Sequence, residues 1–268
     1  MKVLAKSPCL CSLALTNSQI DDDLTRLLMK ELNEVENGIE NTERLTLRNT
    51  LIELDISHNN ISTEGIRILL NFFFPDEVGK DPNTTTISVL QILKLADNQI
   101  RAEACRSLGR VLGHSNSLIH VDLRMNYLFD DGGEFLFKGI LNNINRRSDL
   151  SLNLASNSLS SLSMAVLSDA IALAEMNSTF GSLDLSNNFF KAQDILNLAS
   201  ALKQHKCPSK FMRSLDLRGN SYRIQNEDRV SSDDCVLPPN KVKDALEMIE
   251  HSLTTNTAGK SDMDVTWM

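Results

Sequence analysis

Apolar residues recur along this chain with two alternating periods. The order L-x-x-L-x-L-x-x-N leads into a series of asparagines at Asn59, Asn98, Asn126, Asn157, Asn188 and Asn220, with Ser18 as an earlier, degenerate member. Clear instances are Leu51, Leu54, Ile56, Asn59; Leu90, Leu93, Leu95, Asn98; and Leu118, Val121, Leu123, Asn126. Phe180, Leu183, Leu185, Asn188 and Met212, Leu215, Leu217, Asn220 follow the same rule, whereas the unit ending at Asn157 carries Asp149 in its first slot. Downstream the period changes. Two residues after the anchor stands Ile20, Ile61, Ile100, Leu128, Leu159, Phe190 or Tyr222. Ten after it comes Leu28, Leu69, Leu108, Leu136, Leu167 or Leu198, and fourteen after it Leu32, Phe73, Leu112, Ile140, Ile171 or Leu202. The L-x-L step has the alternation of a strand, and the four-residue step is one turn of a helix. Each unit is therefore predicted to be a short strand, a turn and an amphipathic helix. One such unit cannot bury its own apolar face, so the units are expected to stack as a solenoid with parallel strands inside and helices outside.

The anchor asparagine is the polar exception in an apolar series, and its amide suits buried backbone groups at a bend. Anchor spacings are 41, 39, 28, 31, 31 and 32 residues, which places insertions at about 37–48 and 75–88, both between a helix and the next strand. Both should emerge on one rim, where they form a candidate binding lip. Pro238 and Pro239 are followed by Asn240, an expected N-cap for a terminal helix with Val242, Ala245, Leu246 and Ile249 on one face. The solenoid is thus expected over residues 1–253, its capping helix at about 240–253, and a flexible tail at 254–268. Trp267, the only tryptophan, stands in that tail as a candidate interface anchor.

Composition narrows the function classes. The 268 residues are 41% hydrophobic and 23% charged, which fits a folded chain rather than a disordered one. The net charge of -8 opposes binding to nucleic acid or anionic membrane and favours a protein partner with a basic patch. The richest apolar run, Ile68 to Phe74, is broken by Asn71 and is far too short to span a bilayer. Five scattered cysteines (Cys9, Cys11, Cys105, Cys207, Cys235) suit free thiols in a reducing, cytoplasmic setting. The apolar patch before Thr16 is short and follows Pro8, unlike a signal peptide.

Strand alternation points the residue between the two strand leucines into the concavity: Ala14, Asp55, Lys94, Asp122, Asn153, Asp184 and Asp216. Two residues on, the inward series is Thr16, Ser57, Ala96, Arg124, Ala155, Ser186 and Arg218. Asp55, Lys94, Asp122, Arg124, Asp184, Asp216 and Arg218 are the candidate protein-binding residues, the later half of the concavity being the expected centre. Asp184 and Asp216 should face each other as an acid/base pair would, with Arg218 near enough to neutralise them. Other chemical signals are weaker. Asp55, Ser57 and His58 spell a nucleophilic triad, but neighbours along one strand and turn point to different faces. His205 and Cys207 have no second pair at ligand spacing. Cys9 and Cys11 lack the C-x-x-C spacing of a redox pair, and Cys105 falls on an apolar helix face. Gly259, Lys260 and Ser261 lack the upstream glycine and following helix of a phosphate loop. No catalytic residue, cofactor or metal site is expected.

The repeated strand–asparagine–helix unit resembles the leucine-rich repeat proteins of the ribonuclease-inhibitor type over residues 10–253. Repeats in that class run roughly 20–29 residues, shorter than most of the units here. The resemblance implies a non-enzymatic scaffold that binds another protein on its concave face and one rim, with a cytoskeletal or ciliary assembly as one setting. It also brings in a second class, a GTPase-activating accessory similar to the Ran-GTPase activators. Against that alternative stand the smaller number of repeats and a tail, 254–268, whose only acidic residues are Asp262 and Asp264. An intracellular ribonuclease inhibitor is a third reading, opposed by the low content of tryptophan and cysteine.

Overall fold

Every L-x-L segment forms a short strand, and those leading into Ser18 and the asparagines as far as Asn188 are each followed by the helix that the change of period predicts. The computed structural model describes residues 10–34, 50–75, 88–141, 150–173, 180–204, 212–220, 239–254 and 265–266. Its strands are β1 (Ser12–Ala14), β2 (Glu53–Asp55), β3 (Ile92–Lys94), β4 (His120–Asp122), β5 (Ser151–Asn153), β6 (Phe180–Asp184), β7 (Met212–Asp216) and β8 (Val265–Thr266). The helices are α1 (Asp22–Glu34), α2 (Thr63–Phe73), α3 (Ala102–His114), α4 (Phe129–Leu141), α5 (Ser161–Leu173), α6 (Ala192–Gln204) and α7 (Pro239–Thr254). The eight strands form one parallel sheet in chain order. Successive helices pack side by side behind it, and α7 lies on α6.

The core is the repeated leucine set. Leu13, Leu54, Leu93, Val121, Leu152, Leu183 and Leu215 point back from the strands, and all are buried. Ile56, Leu95, Leu123, Leu154, Leu185 and Leu217 are buried with them. The helix positions ten and fourteen after the anchors meet them from the other side, as Leu69 and Phe73 do in α2 or Leu198 and Leu202 in α6. In the unit with Asp149 in its first slot, Leu150 is fully buried.

The anchor asparagines satisfy the backbone of two consecutive repeats, as their sequence position implies. Asn188 Oδ1 accepts from the Asn157 and Leu159 amides, both at 3.0 Å. Its Nδ2 donates to the carbonyls of Leu154, Leu185 and Ser186 at 3.0–3.1 Å. Asn59, Asn98, Asn126 and Asn220 repeat this pattern. Immediately before each anchor the backbone is left-handed: Asn17, His58, Asp97, Met125, Ser156, Asn187 and Gly219 have φ between 51° and 70°. That turn swings the asparagine back under the strands. Asparagine, aspartate and glycine adopt it readily, whereas for Met125 it costs on the order of 1 kcal/mol.

Consecutive repeats are also joined by a cap unseen in the periodicity. Asp22 accepts from the amides of Ser62 (2.8 Å) and Gly65 (3.0 Å) at the start of α2. Asp130, likewise four residues after its anchor, accepts from the Ser160 and Ser163 amides at 2.7 and 3.2 Å at the start of α5. Each carboxylate therefore caps the helix of the following repeat.

Two expectations change at the C-terminus. Asn240 falls on the second residue of α7, not its cap; Pro239 opens the helix, where its fixed φ suits the first turn and its missing N–H is no loss. Residues 265–266 of the expected tail form β8 against β7. On the buried face of α7, Ala245, Leu246 and Ile249 pack as predicted. The insertion 37–48, nearly all of 75–88, Cys9, His205, Cys207, Cys235, residues 259–261 and Trp267 lie outside the described residues.

Candidate protein-binding face

The strand register brings the inward residues into continuous columns. Ala14, Asp55, Lys94, Asp122, Asn153, Asp184 and Asp216 are paired across neighbouring strands in that order. Backbone bonds from Asp97 to Arg124, Met125 to Ala155 and Asn187 to Arg218 carry the second column in the same register. A third inward column precedes these: Ser12, Glu53, Ile92, His120, Ser151 and Ser182. Glu53 and His120 were not among the sequence-derived candidates. Alternation by two residues from Asp55 and Asp122 was the available signal.

Most acidic residues in the middle column have a local task. Asp55, Asp122, Asp184 and Asp216, and Asn153 in the same slot, each accept from the amide two residues on at 2.9–3.1 Å. This closes the chain's exit from the strand, so aspartate recurs there for structural reasons. Lys94 breaks the rule. It carries a cation in a slot built for a short acceptor and stands among acids supplied by both neighbouring strands.

Around Lys94 the charges converge. Its Nζ is 2.6 Å from Glu53 Oε1 and 3.9 Å from Asp55 Oδ2. The bond from Lys94 holds the Glu53 carboxyl below the usual carboxylate range, and the Glu53 bond in turn raises the lysine. Arg124 Nε lies 3.4 Å from Asp122 Oδ2 and remains half exposed. His120 stands between Glu53, Lys94 and Asp122. Burial lowers its pKa and Lys94 adds to the lowering, while Asp122 and Glu53 pull the other way. Hence His120 should titrate below the ordinary histidine value in NMR spectra. Lys94→Met is expected to move that midpoint up and Asp122→Asn to move it down. A midpoint indifferent to both substitutions would remove the electrostatic link between these side chains. Because the folded state favours neutral His120, its share of stability is full above the unfolded value near ~6.5 and falls as the pH drops below it.

The later candidates form a separate group. Asp184 and Asp216 face each other in the register, as expected. Arg218 grips Asp216 through Nε and Nη2, at 3.0 Å to Oδ1 and 2.5 Å to Oδ2. The two carboxylates therefore sit beside a fixed guanidinium, an arrangement for recognition rather than proton sharing. Asn153 and Ala155 separate this group from the one around Lys94. The triad letters also come apart: Ser57 Oγ accepts from the Ala96 amide, and His58 Nδ1 pairs with Asp97 Oδ2 at 2.9 Å. Cys105 is buried in the core, which pushes its thiol up to about 12. Among the described residues no group of three His, Cys, Asp or Glu side chains could hold a metal ion.

Next to the Lys94 group, the strand-to-helix rim exposes large apolar side chains. Met125, Tyr127 and Phe129 leave β4 in succession and are each about half exposed, flanking the fully buried Leu128. Phe189 is exposed on the same rim two repeats later. Both Met125 and Phe129 hold left-handed backbone, with φ of 57° and 52°. An open hollow of about 540 Å³ lies further along this rim, between Asn17, His58, Asn59, Asn60 and Asp97. The flanks of both insertions lie at the opposite, helix-to-strand rim.

Residues 49–69 match the family model described as Leucine Rich repeat. The chain is 25% identical over 244 residues to mouse NACHT, LRR and PYD domains-containing protein 14, covering 86% of this chain and 23% of that protein. Mouse NACHT, LRR and PYD domains-containing protein 12 is 29% identical over 163 residues, 61% of this chain and 14% of the relative. The rat protein 3 of the same series is 29% identical over 178 residues, 66% and 15% respectively. The chain thus spans less than a quarter of the length of these relatives. With the strand–helix repeats and their asparagine anchors, these matches identify the fold as an α/β leucine-rich repeat solenoid. Among the described residues no helix is long and apolar enough to cross a membrane.

Proposed function

We propose that this solenoid is a non-enzymatic interaction scaffold whose contact surface is centred on β3 and β4. The observation that carries the reading is continuity. Within one repeat, His120, Asp122 and Arg124 lead along the concave face directly into exposed Met125, Tyr127 and Phe129. Aromatic and methionine side chains beside a charged rim have the composition of a binding hot spot. The relatives are named for NACHT, LRR and PYD domains, and the aligned portion is the size of a repeat domain alone. We assign this chain the role of such a domain's recognition surface, and its repeat type to the ribonuclease-inhibitor class.

The acidic columns favour a partner that presents a basic patch against Glu53, Asp55 and Asp122 and an apolar surface against the rim. Lys94 then contributes specificity, since a partner cation must approach the acids without meeting it. Asp184, Asp216 and Arg218 extend the same face and offer a second, weaker contact. A cytoplasmic setting agrees with the free Cys11 and Cys105, and a cytoskeletal or ciliary assembly is one place for such a scaffold. The test is quantitative affinity purification of the wild-type chain beside Tyr127→Ala/Phe129→Ala and Glu53→Lys. At least one partner should fall about tenfold in recovery with both variants while their unfolding midpoints stay near wild type. Equal recovery of all partners by the three proteins would move the binding surface elsewhere.

A further inference from the structure

The open hollow on the strand-to-helix rim is built from the turns of three consecutive repeats. Its lining includes Asn17, His58 and Asp97, each standing immediately before an anchor, together with Asn60 and the buried Asn59. In the following repeats that position holds Met125, Ser156, Asn187 and Gly219, so this set of polar groups is peculiar to the first three. Asn17, His58 and Asp97 hold left-handed backbone, with φ of 51°, 58° and 51°. Their turns are stacked by backbone bonds: the Asn17 amide donates to Ser57, His58 to Ala96 and Asn59 to Asp97. Asn59 is spent on the ladder, its Nδ2 on the carbonyls of Leu15, Ile56 and Ser57 and its Oδ1 on the amides of Ser18 and Ile20. The Asn17 and Asn60 side chains are exposed. One bond then fixes the chemistry. His58 Nδ1 stands 2.9 Å from Asp97 Oδ2, and both side chains are about half exposed. A carboxylate only accepts, so Nδ1 carries the proton and the neutral ring presents Nε2 as an acceptor. Asp97 is the acid of the hollow, and no lysine or arginine lines it.

We propose that this hollow binds an arginine side chain presented by a partner protein. The source of the arginine rests on the reading of the chain as a scaffold for a basic partner, whereas the chemistry of the hollow stands without it. Its acceptors are spread around an opening of about 540 Å³ instead of converging on one point. A guanidinium suits that spread: it carries five donors in a planar fork, is more weakly hydrated than an ammonium and stacks on aromatic rings such as His58. Asp97 supplies the charge-assisted bond, and His58 Nε2 with the amide oxygens of Asn17 and Asn60 takes the remaining N–H groups. A lysine ammonium is a compact point charge and satisfies fewer of these acceptors at once. A carboxylate is repelled by Asp97. The contrast with the concave face is one of occupancy. Glu53 and Asp55 already face the Lys94 ammonium, whereas the Asp97 carboxylate faces a ring that carries no charge when neutral.

The probe is N-acetyl-arginine amide, titrated into the whole chain while the His58 ring and the Asn60 and Asp97 amides are followed by NMR. Saturable shifts are expected with a dissociation constant on the order of millimolar, the range for one residue without a protein behind it. N-acetyl-lysine amide should bind about fivefold more weakly, and N-acetyl-glutamate amide should give no saturable shift. Asp97→Asn should lose about tenfold in affinity for the arginine derivative. Asparagine accepts left-handed backbone as aspartate does, so this variant keeps the turn. Tyr127→Ala/Phe129→Ala should bind the derivative as wild type does, which separates failure of the hollow from failure of the apolar rim. Equal affinity for the lysine derivative, an Asp97→Asn variant that binds as tightly as wild type, or shifts that never saturate overturns the proposal. So does a response abolished by Tyr127→Ala/Phe129→Ala, which would place the arginine at the apolar rim instead.

Discussion

Asn188→Ala should lower the stability of the protein by about 3–5 kcal/mol, although it removes only a few atoms. The substitution strips acceptors from the Asn157 and Leu159 amides and donors from three carbonyls, all in buried surroundings that water does not reach. Each buried backbone group left without a partner costs roughly 1–3 kcal/mol, and only some find new ones. Asn157→Ala supplies the comparison. Asn157 Nδ2 donates to the carbonyls of Leu123 and Ala155, but its Oδ1 has no partner in the same buried ladder. Its replacement should therefore cost less than that of Asn188, by about 1–2 kcal/mol. Denaturant unfolding followed by circular dichroism measures both. Equal losses would mean that the accepting oxygen contributes nothing.

The second large effect is expected at the junction of α3 and α4. A Cβ on Gly139 would fall on the carbonyl of Gly109 and 2.7 Å from its Cα, and one on Gly113 would stand 2.7 Å from the Gly139 carbonyl. The obstacles are backbone atoms, so no side chain can turn aside. In a helix, alanine in place of glycine usually gains about 1 kcal/mol. Here that gain is outweighed, because the helices must separate and loosen the packing of Leu108, Leu112, Leu136 and Ile140. Gly139→Ala should cost about 2–3 kcal/mol and Gly139→Val more. Gly133→Ala is the control, since its new Cβ meets the Ser163 and Leu159 side chains, at 2.9 and 3.1 Å, rather than backbone. A shift of the unfolding midpoint no larger for Gly139 than for Gly133 would rule out the close approach as the cause. This junction coincides with the 28-residue spacing between Asn98 and Asn126, the shortest in the chain.

Features that recur were readable from the letters alone. Two periods and a fixed anchor were enough for the strands, the helices, the buried leucines and the pairing of Asp55 with Lys94 and Asp184 with Asp216, because each unit independently repeats the same packing problem. Features that occur once were not. Glu53 and His120 were missed because the inward series was begun at the residue after the first strand leucine, one step of alternation too late. Exposure of Tyr127 and Phe129 is hidden in a run where buried Leu128 lies between them, and hydrophobic letters do not reveal which side they face. A strand as short as Val265–Thr266 has no period to detect, and only the register of β7 reveals its place. Aspartate in the middle column pointed towards function, yet its bond to the amide two residues on is local turn chemistry. The informative residue proved to be the one that departs from it, Lys94.

The asparagine ladder also makes neighbouring repeats complete one another in both directions. Each anchor's Oδ1 accepts from the loop of the repeat before it, as Asn59 does from Ser18 and Ile20, and Asn220 from Phe190. In return the amides of Asn60, Gln99, Tyr127 and Phe189 donate to carbonyls of the preceding repeat, and Asp22 and Asp130 cap the helix that follows. No turn is closed by its own residues alone. Opening any interior repeat therefore orphans buried groups in both of its neighbours, and the described units should melt together rather than fray one at a time.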